Sequence, residues 1–279
     1  MSSQCSDQNR FQFAKSSAVD DIVLLNASMT DFTYGKHAHE EFSIGVTLRG
    51  RQDFFAVGQF HKSHPGSVII LNPDDAHDGE SGGDKALEYK MLYVKPEQLT
   101  PALSALGMPH PEHFRVKNTV SQQDTLRDQV LRLASLIESD GTTSSEYESG
   151  LFELAEQLVP MQEQSVLQPA SRMHRLLNNA KEYLQDNYTK EVALDELCQV
   201  ACLSKFHFLR SFKDYTGMTP HQYWLNIRIN RARQALKSGI PVSNVANTFG
   251  FNDLSHFNRR FKPVFGMTPY QYQRLILSP

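Results

Sequence analysis

The apolar positions of this chain change their rhythm twice along its 279 residues. In residues 11–100 they alternate or come in short runs broken by turn residues. Phe42, Ile44, Val46 and Leu48 alternate with polar or small residues, which predicts a strand carrying those four side chains on one face. Ser67–Leu71 and Tyr89–Val94 read as further strands. Gly50-Arg51, Val57-Gly58-Gln59 and Asn72-Pro73-Asp74 supply turns between them. Short strands spaced in this way predict a small antiparallel barrel or sandwich. The rhythm then becomes helical. After a short helix over Pro96–Leu106, the segment Ser121–Ser139 carries Leu126, Val130, Leu133 and Ile137 as one stripe. Thr143–Val159 does the same with Tyr147, Leu151, Leu154 and Leu158.

Beyond residue 172 the pattern is helical and duplicated. His207–Tyr223 returns as His256–Tyr272, 49 residues later, with 11 of 17 positions identical. In the first copy Leu194–Ala201 forms a short amphipathic helix. Cys202-Leu203 turn the chain, and Ser204 caps a second helix to about Asp214. In the second copy Val242–Phe249, Gly250-Phe251 and Asp253 take those parts, ahead of Leu254–Val264. Two short helices joined by a tight turn make a helix-turn-helix, whose second helix can enter a major groove. Gly217 and Gly266 end these second helices, and Thr219-Pro220 and Thr268-Pro269 start the next ones. Pro220–Lys237 joins the copies as one helix, directing Tyr223, Trp224, Ile227, Ala232 and Leu236 to a core. Its 18 residues span roughly 27 Å, against ~34 Å between successive major grooves on one DNA face.

Phe208 and Phe212, like Phe257 and Phe261, are four residues apart and face inward. Lys205, Phe206, Leu209 and Arg210 are then turned outward in the first copy. In the second, Leu254, Ser255, Asn258 and Arg259 are, with Arg260 beside them. Arginine suits guanine or phosphate, asparagine suits adenine, and apolar side chains can meet thymine methyls. These nine residues are the expected DNA contacts.

The residues of the two copies resemble the DNA-binding region of the AraC-type transcription regulators. In the first half the resemblance rests on Leu197-Cys198, Ala201, Ser204, Phe208, Arg210, Phe212-Lys213, Gly217, Pro220 and Tyr223. In the second it rests on Val245-Ala246, Gly250-Phe251, Asp253, Ser255, Phe257, Arg259, Phe261-Lys262, Gly266, Pro269 and Tyr272. The match spans about Met173–Leu277. It implies that both units dock on one DNA face, and that Phe206, Leu209, Arg210, Leu254, Ser255, Asn258 and Arg259 stand at base-contacting positions. Leu209 departs from the polar residue common there.

Charge sharpens the division of the chain. From Arg172 onward there are 15 Lys/Arg and 7 Asp/Glu, hence +8; the preceding residues hold 13 and 24, hence −11, and the net charge is −3. A basic half fits phosphate binding, whereas an acidic half is repelled by DNA. Two domains follow, residues 1–160 and residues 172–279, joined by a polar linker over 161–171. The polar start lacks the apolar core of a signal peptide and no run of 18 apolar residues exists, so the expected location is cytoplasmic. Cys5, Cys198 and Cys202 make no disulfide framework, and the latter two read as core residues.

The N-terminal half has one concentration of chemistry. His37 and His39, on a strand, would point the same way, with Glu41 continuing that face and His77 following the Asn72-Pro73-Asp74 turn. Two histidines, a carboxylate and a third histidine could hold a metal. The arrangement, with Pro65-Gly66, resembles a cupin-type barrel, although Glu40 and Glu41 follow the second histidine sooner than in a metal cupin. The sensor domains of AraC-type regulators share these elements and bind organic effectors without metal or cofactor. The resemblance therefore places His37, His39, Glu41 and His77 near a small effector, and Tyr93 is added from its place on the Tyr89–Val94 strand. It also implies a homodimer using part of the helical pair, double-stranded promoter DNA and RNA polymerase as partners, and activation without catalysis. The alternative is a metal-dependent cupin enzyme fused to a DNA-binding module. The expected architecture is a cupin-like barrel with a helical pair, then an all-α domain of two helix-turn-helix motifs joined by a long helix.

Overall fold

The computed structural model describes residues 9–16, 19–139, 141–163 and 171–277. The chain divides into two compact units. One comprises Met1–Thr33, His39–Asp74 and Asp78–Gln164; the other comprises Tyr34–Ala38, Asp75–His77 and Ser165–Pro279. Most of the expected linker, residues 164–170, lies outside the described residues, as does Cys5.

The strands are β1 (Arg10–Ser16), β2 (Val19–Met29), β3 (Thr33–His37), β4 (Phe42–Arg49) and β5 (Gln52–Ala56). They continue with β6 (Gln59–Ser63), β7 (Val68–Leu71), β8 (His77–Ser81), β9 (Leu87–Val94) and β10 (Val120–Ser121). They form a six-stranded sheet of order β1-β2-β9-β4-β7-β10 and a four-stranded sheet of order β3-β8-β5-β6. The expected turns are present: Gly50, Val57, Gly58 and Asp74 all adopt positive φ.

Strand β4 corrects the alternation reading. Its first six residues are buried on both faces, and Leu48, expected inside, is 38% exposed. The cause is its central place, between β9 and β7. The inward polar residues are satisfied locally, as where Thr47 Oγ1 and Ser63 Oγ share a hydrogen bond of 2.7 Å. Gly45 is required by the close approach of β9, since a Cβ there would lie 2.5 Å from Lys90 O and 2.6 Å from Met91 Sδ.

Among the described residues three α-helices complete this unit: α1 (Pro96–Ala105), α2 (Asp124–Glu138) and α3 (Ser144–Leu158). The predicted stripes of α2 and α3 are buried in full. They pack in one core with Ile22, Leu24, Phe42, Ile44 and Val46. Thr143 caps α3 and Glu146 returns the bond in a capping box.

The second unit carries α4 (Arg172–Asp186), α5 (Leu194–Val200), α6 (Lys205–Thr216) and α7 (Pro220–Lys237). These are followed by α8 (Val242–Thr248), α9 (Leu254–Phe265) and α10 (Pro269–Leu277). Its duplication is metric as well as textual. Phe208–Phe212 and Phe212–Tyr223 ring centroids are 5.3 and 5.6 Å apart; Phe257–Phe261 and Phe261–Tyr272 are both 5.5 Å. Gly217 and Gly266 close α6 and α9 in the left-handed conformation, at φ 72° and 76°. Thr219 with Gln222 and Thr268 with Gln271 cap the helices that follow.

Two local expectations fail. Ser204 occupies the N-cap of α6 but makes no capping bond through its side chain, whereas Asp253 accepts from the His256 amide. Cys202 is exposed at φ 49°, not in a core, because it makes the left-handed turn that Gly250 makes at φ 70°. Cys198 is half-buried.

Candidate functional site

The helix-turn-helix copies hold eight of the nine expected contact residues away from their cores. Phe208 and Phe212, Phe257 and Phe261 are fully buried, and the i, i+4 spacing that buries them turns the rest of each helix outward. Lys205, Arg210, Ser255, Arg259 and Arg260 are exposed, and Asn258 is half-exposed. Phe206 is 85% exposed and Leu254 47% exposed. An apolar ring so exposed costs solubility and gains only where a partner covers it. The ninth, Leu209, is half-buried instead, on the wall of an apolar pocket with Leu184, Leu197 and Trp224. That explains a leucine where a polar residue is common.

The charged members are loosely held. Lys205 Nζ lies 3.7 Å from Asp195, and Arg210 Nε 3.9 Å from Asp214 one turn along α6. Such exposed pairs contribute little and release the cation readily to a phosphate or base. Arg259 has no ion pair among the described residues. Burial, together with Arg260, Arg259 and Arg228, holds His256 below the ordinary imidazole range. The second recognition helix therefore carries a positive field suited to a polyanion.

Arg228 of α7 is a residue that sequence reading missed. It is only 4% exposed, and burial lowers its pKa. Its Nε donates to Phe249 O at 2.6 Å, and its guanidinium lies over the rings of Trp224 (4.4 Å) and Phe251 (4.7 Å). The available signal was register: Arg228 follows Trp224 by four residues, on the face the pattern assigns to the core.

In the β-rich part, the expected effector residues form two local pairs. His37, ending β3, and His77, opening β8, bring their rings to 4.3 Å. Each Nδ1 lies 2.7 Å from the carbonyl oxygen two residues earlier, Gly35 O and Asp75 O. His39 stands edge-on to Tyr93 of β9 at 5.3 Å, with Nδ1 3.1 Å from Glu41 O and Nε2 3.1 Å from Ser43 Oγ. His39 is not on a strand with His37, because β3 ends at His37 and the chain turns before β4. His37, His39 and His77 are all buried. Glu41 is buried beside them in sequence, and Tyr93 is half-buried. A Nδ1–H donated to a carbonyl leaves Nε2 as the acceptor, the tautomer that suits a ligand's donor or a metal.

Comparison with known proteins agrees with both halves. A family described as the AraC-like ligand binding domain matches residues 21–158, and one described as a helix-turn-helix domain matches residues 197–275. The chain belongs to the AraC-type transcriptional regulators. It is 28% identical over 223 residues to the uncharacterized HTH-type transcriptional regulator YbfI of Bacillus subtilis, covering 80% of each chain. To the HTH-type transcriptional activator RhaS of Klebsiella pneumoniae it is 26% identical, covering 83% of this chain and 84% of RhaS. In fold it is similar to ToxT from Vibrio cholerae, with a TM-score of 0.58 at 14% identity, covering 92% of this chain and 99% of ToxT. This regulator therefore joins a ligand-binding N-terminal domain to a DNA-binding domain with two helix-turn-helix units. Among the described residues no helix is long and apolar enough to cross a membrane.

Proposed function

We propose that this regulator is a non-catalytic activator working in the cytoplasm, switched by a small organic effector held at His37, His39, Glu41, His77 and Tyr93. The observation that carries the effector reading is the pair of buried imidazoles His37 and His77, with ring centroids 4.3 Å apart and each Nδ1 facing a backbone carbonyl. Imidazoles together with a tyrosine and a buried glutamate suit a small molecule that brings amino or hydroxyl donors. RhaS, a relative over most of the chain, is a transcriptional activator, which favours activation through RNA polymerase. ToxT, similar in fold, has been captured with an unsaturated fatty acid, an organic ligand.

On this reading residues 1–160 sense, 161–171 link and 172–279 bind DNA. Lys205, Phe206, Arg210, Leu254, Ser255, Asn258, Arg259 and Arg260 would meet the operator, while Leu209 supports the helix from behind. The regulator acts as a homodimer. Since the apolar stripes of α2 and α3 lie in their own domain's core, the dimer uses other faces of these helices.

The test is a thermal-shift screen of amines, amino acids, sugars and organic acids against the full-length protein. A ligand of the folded state raises the melting temperature by mass action. A hit is expected to vanish in His39→Ala; a hit that survives would remove the histidines from the pocket. A second reading is a metal-dependent cupin enzyme with His37, His39, Glu41 and His77 as ligands, favoured by the closeness of the His37 and His77 rings. Stoichiometric Fe, Mn or Zn in protein purified without chelator would establish it in place of the organic ligand.

A further inference from the structure

The DNA-binding half contains a cleft in whose lining only Leu209 and Arg260 are among the expected DNA contacts. It has two lobes, of about 210 and about 410 Å³. They share Glu191, His221 and Trp224, and so form one continuous cleft of small-molecule size. The smaller lobe is apolar, walled by Leu184, Val192, Leu197, Leu209 and Trp224. The larger one is cationic, with Arg228, Arg260, His256 and His221 around it and Asn252 at its edge.

Arg228 is the informative residue. A buried guanidinium ordinarily has a carboxylate partner, because removing the charge from water is costly. Among the described residues Arg228 has none. Among the described residues its one hydrogen bond is from Nε to Phe249 O, and Nη2 is buried without a partner there. Nη2 is pressed toward Gly250, where a Cβ would come within 2.6 Å of it. Arg228 and Gly250 both line the larger lobe. Arg260, exposed on α9, adds a second cation, with Nε 3.5 Å from His256 Nε2. Glu191, exposed where the lobes join, is the one carboxylate in the lining and leaves the arginine end positive.

The geometry points to a second ligand site, for an amphiphilic carboxylate: the carboxylate at Arg228 and Arg260, the hydrocarbon against Leu197, Leu209 and Trp224. Charge complementarity selects the headgroup and the adjoining apolar lobe selects the tail. The walls come from both helix-turn-helix units and from α7 between them. An occupant therefore touches both units, and its binding is coupled to any rearrangement that changes their spacing.

Trp224 is the only tryptophan in the chain, so its fluorescence reports on this cleft alone. Full-length protein titrated with octanoate should show a saturable change. Arg260→Gln, an exposed substitution, and Val192→Phe, which fills the apolar lobe, should each weaken the apparent Kd at least tenfold. Arg228→Gln should do the same where it folds. Three results would overturn the site. One is no saturable change by about 1 mM, where even a ligand of −4.1 kcal/mol half-saturates. Another is equal binding of 1-octanol, which would leave the arginines without a part. The third is inorganic phosphate binding as tightly as octanoate, which would make the cleft a simple phosphate site of the kind DNA uses.

Discussion

The two helix-turn-helix units are copies of one design, and their differences are more instructive than their likeness. The second unit is encoded locally at every joint. Gly250 makes its left-handed turn without steric cost, and Asp253 caps α9 with a real hydrogen bond. The first unit reaches the same geometry with poorer means. Cys202 takes the left-handed turn at φ 49°, where a Cβ is disfavoured, and Ser204 caps α6 in position only. The connections differ in length too. The left-handed residues are 48 apart (250 − 202) and the N-caps 49 apart (253 − 204), so the second turn holds one more residue. The outward faces diverge in the same sense. The first helix offers a bare phenylalanine and an arginine near Asp214, the second a serine, an asparagine and two arginines. Duplication has preserved the cores and left the faces free to specialise.

If the second helix reads bases and the first reads groove shape and thymine methyls, their truncations should behave differently. Arg259→Ala should weaken binding to the specific operator by ~1–3 kcal/mol while changing non-specific binding little. Phe206→Ala should lose a comparable amount without altering the salt dependence, because no phosphate contact is removed. Fluorescence anisotropy across a salt series separates these outcomes. Equal losses for Arg259→Ala on all sequences would make it a phosphate contact and dissolve the distinction.

The turn residues give a smaller and opposite pair of effects. Cys202→Gly should stabilise the helical half by about 0.5–1 kcal/mol. It relieves a left-handed Cβ worth ~1–2 kcal/mol and gives back part of that as chain entropy. Gly250→Ala should destabilise by about 1–2 kcal/mol or more, since its new Cβ is both left-handed and 2.6 Å from Arg228 Nη2. Chemical unfolding followed through Trp224 reads this half of the chain directly. Destabilisation by Cys202→Gly would mean that the first turn is not strained.

Much of this was legible in the sequence because it is local. The buried phenylalanines, the Gly-Met-Thr-Pro joints and the stripe Leu126–Ile137 each follow from spacing within one element, and the structure realises them. What stayed hidden depends on neighbours far away in the chain. The burial of β4 on both faces depends on strands β9 and β7, which no period in residues 42–49 can reveal. His39 could not be placed because the strand carrying His37 ends there. Leu209 looks outward on a helical wheel, yet α4, α5 and α7 build a pocket in front of it. Arg228 broke the apolar pattern of α7, and a break on a core face is the one sequence signal that could have marked its cleft.

The capping residues provide the finest discrimination between the two units. Asp253 sits in extended backbone at φ −159° and accepts from the His256 amide, so it satisfies one of the orphan donors of α9 and places a carboxylate at the positive end of the helix. Asp253→Ala removes both contributions and should cost ~1 kcal/mol. Ser204 makes no such bond, so Ser204→Ala should cost only a few tenths of a kcal/mol, although both residues are exposed and both stand one residue before a recognition helix. Urea midpoints for the two variants, read by Trp224 at constant m-value, make the comparison within one protein. Losses of equal size would mean that Ser204 caps α6 in solution, and that the two copies are more alike at their helix starts than their hydrogen bonds imply.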